Sequence, residues 1–327
     1  MRRIKVKELL FLLPAAGAFA LLILRSGDAS AAAQAGLSNC LGTVIPSLFP
    51  FLALTNLFLQ LDSLKAMMGP LGTAFETLFA IRRTALPAFF AGFIGGYPIG
   101  AAAAAECCRL GRCSKEEAER LLVFSNNCSP GFLFGLVGGK LPGGRQSALI
   151  LLLLQWLLSI FIGILLGAGR KRSKAAADPP GNAGRSFFDI FTASVQNAGR
   201  STLLICAYVI FFGVLTAFLP MSALLRGIVE LTGGILLLPP GPQAEIIAAF
   251  LVGFGGLSVA CQAVSSLAGS GISARRYLPL RLLHGSLMSF GMFCCHLGGI
   301  YILSYVALIV CVAVFVKIYG NRSESGV

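Results

Sequence analysis

QSALILLLLQWLLSIFIGILLGA, residues 146–168, holds no charged side chain and is followed at once by GRKRSK, residues 169–174. As a helix, an uncharged run of about 20 residues covers the roughly 30 Å hydrocarbon layer of a bilayer. The basic cluster behind it marks a water-facing end. The same grammar extends in both directions: further apolar runs recur along the chain, separated by short polar or basic breaks. Only 12% of the 327 residues are charged and 56% are hydrophobic, with a mean hydropathy of +0.84; a soluble domain carries about 25% charged residues. The runs lack the period-2 alternation of barrel strands, and backbone groups in lipid must be paired internally. We therefore expect an all-α polytopic membrane protein with about eight to eleven membrane segments.

The net charge of +13 sits in the breaks between apolar runs and so reads as topology. The positive-inside rule places MRRIKVK (1–7) and GRKRSK in the cytoplasm, and with them the N-terminus. No soluble basic face with interleaved aromatics exists to bind nucleic acid. Leu9–Leu24 reads as a retained anchor, although ASAAA (29–33) resembles a signal-cleavage region. The ten cysteines lie mostly in apolar surroundings. Neither Cys107, Cys108 and Cys113 nor Cys294, Cys295 and His296 has metal-site spacing, so no metal and no cofactor is expected. The chain divides into an anchor and loop (1–36), a first membrane unit (37–168), a basic Pro/Gly/Ala linker (169–186), a second membrane unit (187–317) and a polar tail (318–327) that reads as disordered.

The two units look alike. GFIGGYPIGAAAA (92–104) matches GFGGLSVACQAVS (253–265), SKEEAERLL (114–122) matches SARRYLPLRLL (273–283), and NNCSPGF (126–132) falls at the place of HGSLMSF (284–290). Upstream runs carry one acid each, Glu76 and Glu230. Ordered features at a near-constant offset imply an internal duplication. If Leu64–Ile81 and Leu224–Leu238 both cross the bilayer, the copies are inverted; if neither crosses, they are parallel. The charge rule leans toward inversion, although Arg275, Arg276 and Arg281 then fall on the outer side.

The interruptions carry the candidate chemistry. Gly95, Gly96, Tyr97 and Pro98 in FIGGYPIG, and Gly255, Gly256 and Ser258 in GFGGLS, break helices at mid-membrane and free backbone groups for a ligand, an ion or a close neighbour. Asn126, Asn127 and Ser129, before Pro130, put hydrogen-bonding side chains into an apolar run, suiting a neutral polar solute or an interhelical contact. Glu230, Thr232, Gln262 and His284 are the polar inventory of the second unit; an intramembrane Glu or His is a candidate for coupling to a proton or cation. Ser114 with Glu117 reads as a capping box opening a helix. No HExxH, GxSxG, P-loop or paired carboxylates at catalytic spacing occur, so a non-enzyme is expected.

The succession GFIGGYPIG, SKEEAERLLxFxNNxSP, ELTGG and GFGGLSVxxQ resembles the YlbJ family of sporulation integral membrane proteins. That family belongs to a wider group with the nucleoside recognition, or Gate, domain, which also occurs in nucleoside transporters, ferrous-iron transport proteins and spore maturation proteins. The resemblance covers about residues 37–316. It implies two Gate-type units, a plasma-membrane location and a role in endospore formation, particularly of the cortex. The expected function is a transporter or permease of a small polar solute, nucleoside-like or a wall-precursor component, with a coupling ion. The expected partners are the lipid bilayer, the solute, and a second copy or other sporulation membrane proteins. The rival expectation is a scaffold for spore-envelope assembly. The stretch AAAAAECCRLGRC (101–113) is less polar than the family resemblance leads one to expect.

Overall fold

A computed structural model describes residues 6–60, 69–170 and 186–322. The basic N-terminal residues 1–5, positions 61–68, most of the 169–186 linker and the last five residues of the tail lie outside it. The described residues are helical with no strand. The tail is helical as far as Arg322, which corrects the reading of 318–327 as wholly disordered.

Helices α1 (Val6–Leu24) and α2 (Ser26–Asn39) meet at a 97° bend, and a π turn, Cys40–Val44, joins α2 to α3 (Ile45–Gln60). Helix α3 runs on through Pro50 without breaking. Helix α4 (Gly69–Phe79) is bent by 108° from the segment that follows, α5 (Leu86–Phe90) with its π turn Ala91–Gly95. The rest of the first half is α6 (Ile99–Arg109), α7 (Lys115–Ser125), α8 (Pro130–Phe132, continued by a π turn and ending at Lys140) and α9 (Arg145–Gly167). The second half is α10 (Phe187–Ala217), α11 (Ala223–Val229), α12 (Leu231–Leu236), α13 (Pro242–Phe254), α14 (Gly256–Ser266), α15 (Tyr277–Leu297) and α16 (Gly299–Arg322).

Five stretches among the described residues are long and apolar enough to cross a membrane: 115–140, 145–167, 187–217, 242–266 and 277–297. The two bent pairs raise the number to seven, and the shorter apolar helix Gly299–Val314 is a further candidate. Two stretches fold back on themselves. Thr84 Oγ1 donates to the Arg112 carbonyl at 2.5 Å and Arg82 Nη1 to the Gly111 carbonyl at 3.1 Å, so both ends of the α5–α6 segment lie at one face of the bundle. Each leg is about ten residues, or roughly 15 Å of helix, half of the hydrocarbon layer. The FIGGYPIG break is therefore the tip of a helical hairpin, with a cis Tyr97–Pro98 peptide. Helices α11 and α12 form a second, tighter hairpin with Glu230 at its turn. Gly234 lies so close to the Gly227 backbone that it has no room for a side chain, and Gly227 packs against Leu251.

The hairpins enter from opposite ends. The α5–α6 hairpin starts from the end that also holds the start of α7, the end of α9, which leads into the linker, and the start of α15; Glu119 accepts from the Ser273 amide there at 3.0 Å. We call this the linker end. The opposite end is closed by Glu245 in the first turn of α13, which accepts from Ser147 Oγ and from the Gly143 amide at 3.1 Å and pairs with His296 Nε2 at 2.9 Å. From there α13 and α14 run as one interrupted span back to the linker end. Helices α7 and α8 form the other interrupted span, broken at 126–129.

Neither α4 nor the α11–α12 stretch is long enough to cross a bilayer. Helices α7 and α15, which the motif match paired, both start at the linker end. The match of FIGGYPIG with GFGGLS also joins unlike places, a hairpin tip and a break within a span. NNCSPGF is extended in part, whereas HGSLMSF lies inside the unbroken α15.

Candidate solute site at the meeting of two hairpins and two broken spans

The local sequence makes each break in a different way. Gly96 takes φ +78°, and a Cβ there would come within 2.5 Å of Ser129, so only glycine fits between the first hairpin tip and the first broken span. In the α7–α8 break Ser129 caps α8, accepting from the Phe132 amide at 3.1 Å, with Pro130 at the first helical position. The Glu230 carboxylate caps α12 through the Thr232 and Gly233 amides at 2.9 and 2.5 Å. Gly255, left-handed at φ +87°, ends α13 and lies against the Tyr97 ring.

These four breaks surround one cavity of about 40 Å³. Tyr97, Ser129, Glu230, Thr232 and Gln262 supply its polar wall; Leu48, Ile205 and Val259 supply apolar wall. At roughly 10–15 Å³ each, the cavity has room for about three waters. Pockets that enclose a drug-sized molecule run to about 300–1,000 Å³, so a nucleoside does not fit this conformation.

Behind Tyr97 lies a polar cluster centred on Arg281, whose side chain is fully buried. Arg281 Nη2 donates to Tyr97 Oη at 2.6 Å, and Tyr97 Oη in turn donates to the Val252 carbonyl at 2.8 Å. Arg281 Nη1 donates to Asn127 Oδ1 at 3.1 Å and meets His284 Nδ1 at 2.8 Å. Arginine offers donors only, so Nδ1 accepts and the neutral imidazole carries its proton on Nε2. The guanidinium also lies 5.5 Å from the centre of the Tyr97 ring. No carboxylate pairs with Arg281 among the described residues.

The asparagines are held by protein. Asn126 accepts from the Ala101 amide at 3.2 Å and donates to Tyr277 Oη at 2.7 Å; Asn127 accepts from Ser159 Oγ at 3.0 Å and donates to the Phe124 carbonyl at 2.9 Å. Gln155 bridges the broken backbone at Cys128, taking its amide at 3.0 Å and giving to its carbonyl at 2.9 Å. Those bonds replace the helix bonds lost at the break.

Of the fourteen sequence candidates, Tyr97, Ser129, Glu230, Thr232 and Gln262 line the cavity. Gly95, Gly96 and Pro98 shape the first tip, and Gly255 and Gly256 the second broken span. Ser258 accepts from Gln262 Nε2 at 3.3 Å. Asn126, Asn127 and His284 stand one layer back. Sequence reading missed Arg281, Tyr277, Gln155 and Ser159. It took Arg281 for a loop-flanking charge, yet Tyr277, Arg281, His284 and Met288 recur at helical spacing and form the buried face of α15. Among the described residues no group of three or more His, Cys, Asp or Glu comes together as a metal site.

No family model matches the chain, and no solved structure matches it. The chain is similar to the sporulation integral membrane protein YlbJ of Bacillus subtilis (strain 168), at 26% identity with 78% of this chain and 74% of that protein covered. This match and the ordered motifs of the sequence support a likeness to the YlbJ family of sporulation integral membrane proteins.

Proposed function

We propose that this multi-pass sporulation membrane protein is a permease for a small polar solute bearing an acidic group, serving formation of the spore cortex in the plasma membrane. The observation that carries the reading is Arg281, a buried guanidinium without an acid, one side chain behind a polar cavity walled by both halves. An unpaired ion in a membrane interior costs several kcal/mol, and such residues mark solute and ion paths. A solute carboxylate or phosphate supplies the missing charge once Tyr97 moves aside. Glu230, on the far wall, is the candidate for the coupling ion. The 40 Å³ cavity then corresponds to a closed conformation, and separation of the hairpin tips makes room for the solute.

The order of hairpin then broken span occurs in both halves and from opposite ends: α5–α6 with α7–α8, and α11–α12 with α13–α14. We read these as inverted counterparts, a common plan for secondary transporters. The linker end, which carries Arg82, Arg112, Lys115, Arg170 and Arg276, is then cytoplasmic.

The purified chain in liposomes, assayed with small radiolabelled mono- and dicarboxylates and phosphates, should show flux that Arg281→Met abolishes. The scaffold reading has one observation in its favour: Asn126 and Asn127 are already satisfied by protein groups. It wins if Arg281→Met and Glu230→Gln cells still form heat-resistant spores while the deletion does not.

A further inference from the structure

We propose that a crevice at the linker end is the mouth through which solute reaches Arg281, and that Val123 and Leu280 form the apolar gate that closes it; the solute itself rests on the permease reading above. The crevice measures about 480 Å³, some ten times the inner cavity, and is walled by α7, the end of α9 and the start of α15. Its walls carry three acids and three arginines. Of its acids, Glu117 is paired with Arg82 at 3.1 Å and Glu119 accepts from the Ser273 amide; Glu116 is exposed at the rim. Arg170 and Arg276 stand exposed on the other walls. Arg120, nine-tenths buried, caps the carbonyls of Ala80 and Leu166 at 2.7 and 3.4 Å, and its Nε finds no partner among the described residues.

All three walls lead down to the Arg281 cluster. On α7, Val123 at the crevice floor stands four residues before Asn127. On α15, Leu280 precedes Arg281 itself. On α9, Leu166 lies two turns from Ser159, the hydroxyl that shares Asn127 Oδ1 with Arg281. At 1.5 Å per residue, the four-residue step from Val123 to Asn127 makes the layer between crevice and cluster about 6 Å thick along α7, roughly one helical turn. Beyond it come Arg281, Tyr97 and the inner cavity in sequence, and Cys128 forms part of that cavity's wall. At the opposite end, the Glu245 contacts with Ser147, Gly143 and His296 tie three helices shut.

Cys128 is a native reporter, fully buried behind the proposed gate. The test applies a small anionic thiol reagent, sulfonatoethyl methanethiosulfonate, to everted and to right-side-out membrane vesicles, and reads Cys128 modification by mass spectrometry. We expect little modification of the unaltered chain from either face. Val123→Ala and Leu280→Ala should raise it at least ten-fold, from the everted, linker-side face only. Val123→Thr keeps the volume, wets the layer and should raise it in the same direction, so the test survives if the alanine variants fold poorly. Arg170→Gln with Arg276→Gln should lower the rate for the anionic reagent and not for its trimethylammonium counterpart. Equal modification from both faces, or no rise in any gate variant while the denatured chain reacts fully, overturns the proposal. The readout needs no transported solute. Flux without the labelling change therefore sinks the gate alone, and the labelling change without flux sinks the permease reading alone.

Discussion

Replacing Arg281 with methionine tests whether the buried guanidinium serves function or fold. Methionine has similar length and fills most of the same space without charge. Three hydrogen bonds go, but two of the acceptors keep a partner: Asn127 Oδ1 still receives Ser159 Oγ, and Tyr97 Oη still bonds to the Val252 carbonyl. Only His284 Nδ1 loses a bond without a replacement, a cost of about 1–3 kcal/mol. Hydrogen bonds inside membrane proteins average about 0.6 kcal/mol each. Against this, the substitution removes an uncompensated buried ion, whose effective penalty is several kcal/mol. The balance predicts a chain as stable as the parent or more so, yet inactive. Thermal unfolding in detergent, followed by size-exclusion fluorescence, gives the stability, and heat-resistant spore counts after complementation give the activity. A variant destabilised by more than about 3 kcal/mol, or one that sporulates normally, would refute the reasoning.

Three further outcomes follow from the site. Glu230→Gln keeps one oxygen for the Thr232 amide but sets an NH2 against the Gly233 amide, so it should lose transport and cost up to about 1 kcal/mol, and Glu230→Ala, which loses both cap bonds, about 1–2 kcal/mol; the stabilities are read in the same melting assay. Gly100→Ala places a methyl 2.6 Å from the Asn126 backbone and should destabilise by about 1–3 kcal/mol, while Gly139→Ala, with nothing within 4 Å, should change little. Glu245→Ala removes the contacts to Ser147, Gly143 and His296 and should loosen the opposite end, seen as faster hydrogen exchange at 141–147 and 242–246 and a loss of about 2 kcal/mol.

What the sequence discloses depends on the range of the interaction. The Ser114–Glu117 capping box is local and forms as read, with both reciprocal bonds present. The breaks at Gly95–Pro98, Asn126–Ser129 and Gly255 are equally local, because glycine, proline and short polar side chains weaken a helix where they cluster, although a lone Pro50 leaves α3 unbroken. Whether the chain then turns back or continues is decided elsewhere. For α5–α6 the decision rests on Thr84 and Arg82 meeting carbonyls 28 and 29 residues away, which no local pattern encodes. Arg281 was illegible for a related reason. Among Arg275, Arg276 and Arg281 the composition is uniform, and only the packing of α15 separates two exposed charges from one that is buried.

The cluster also has a timetable. Tyr97 and Asn127 are made 184 and 154 residues before Arg281. At roughly 5–20 residues per second, that interval is about 8–37 s. Throughout it the first half sits in the membrane without the residue that binds its two central polar groups. Final docking of the halves is therefore an event after insertion, and a ribosome that stalls before α15 leaves Tyr97 and Asn127 without Arg281 and Asn126 without Tyr277.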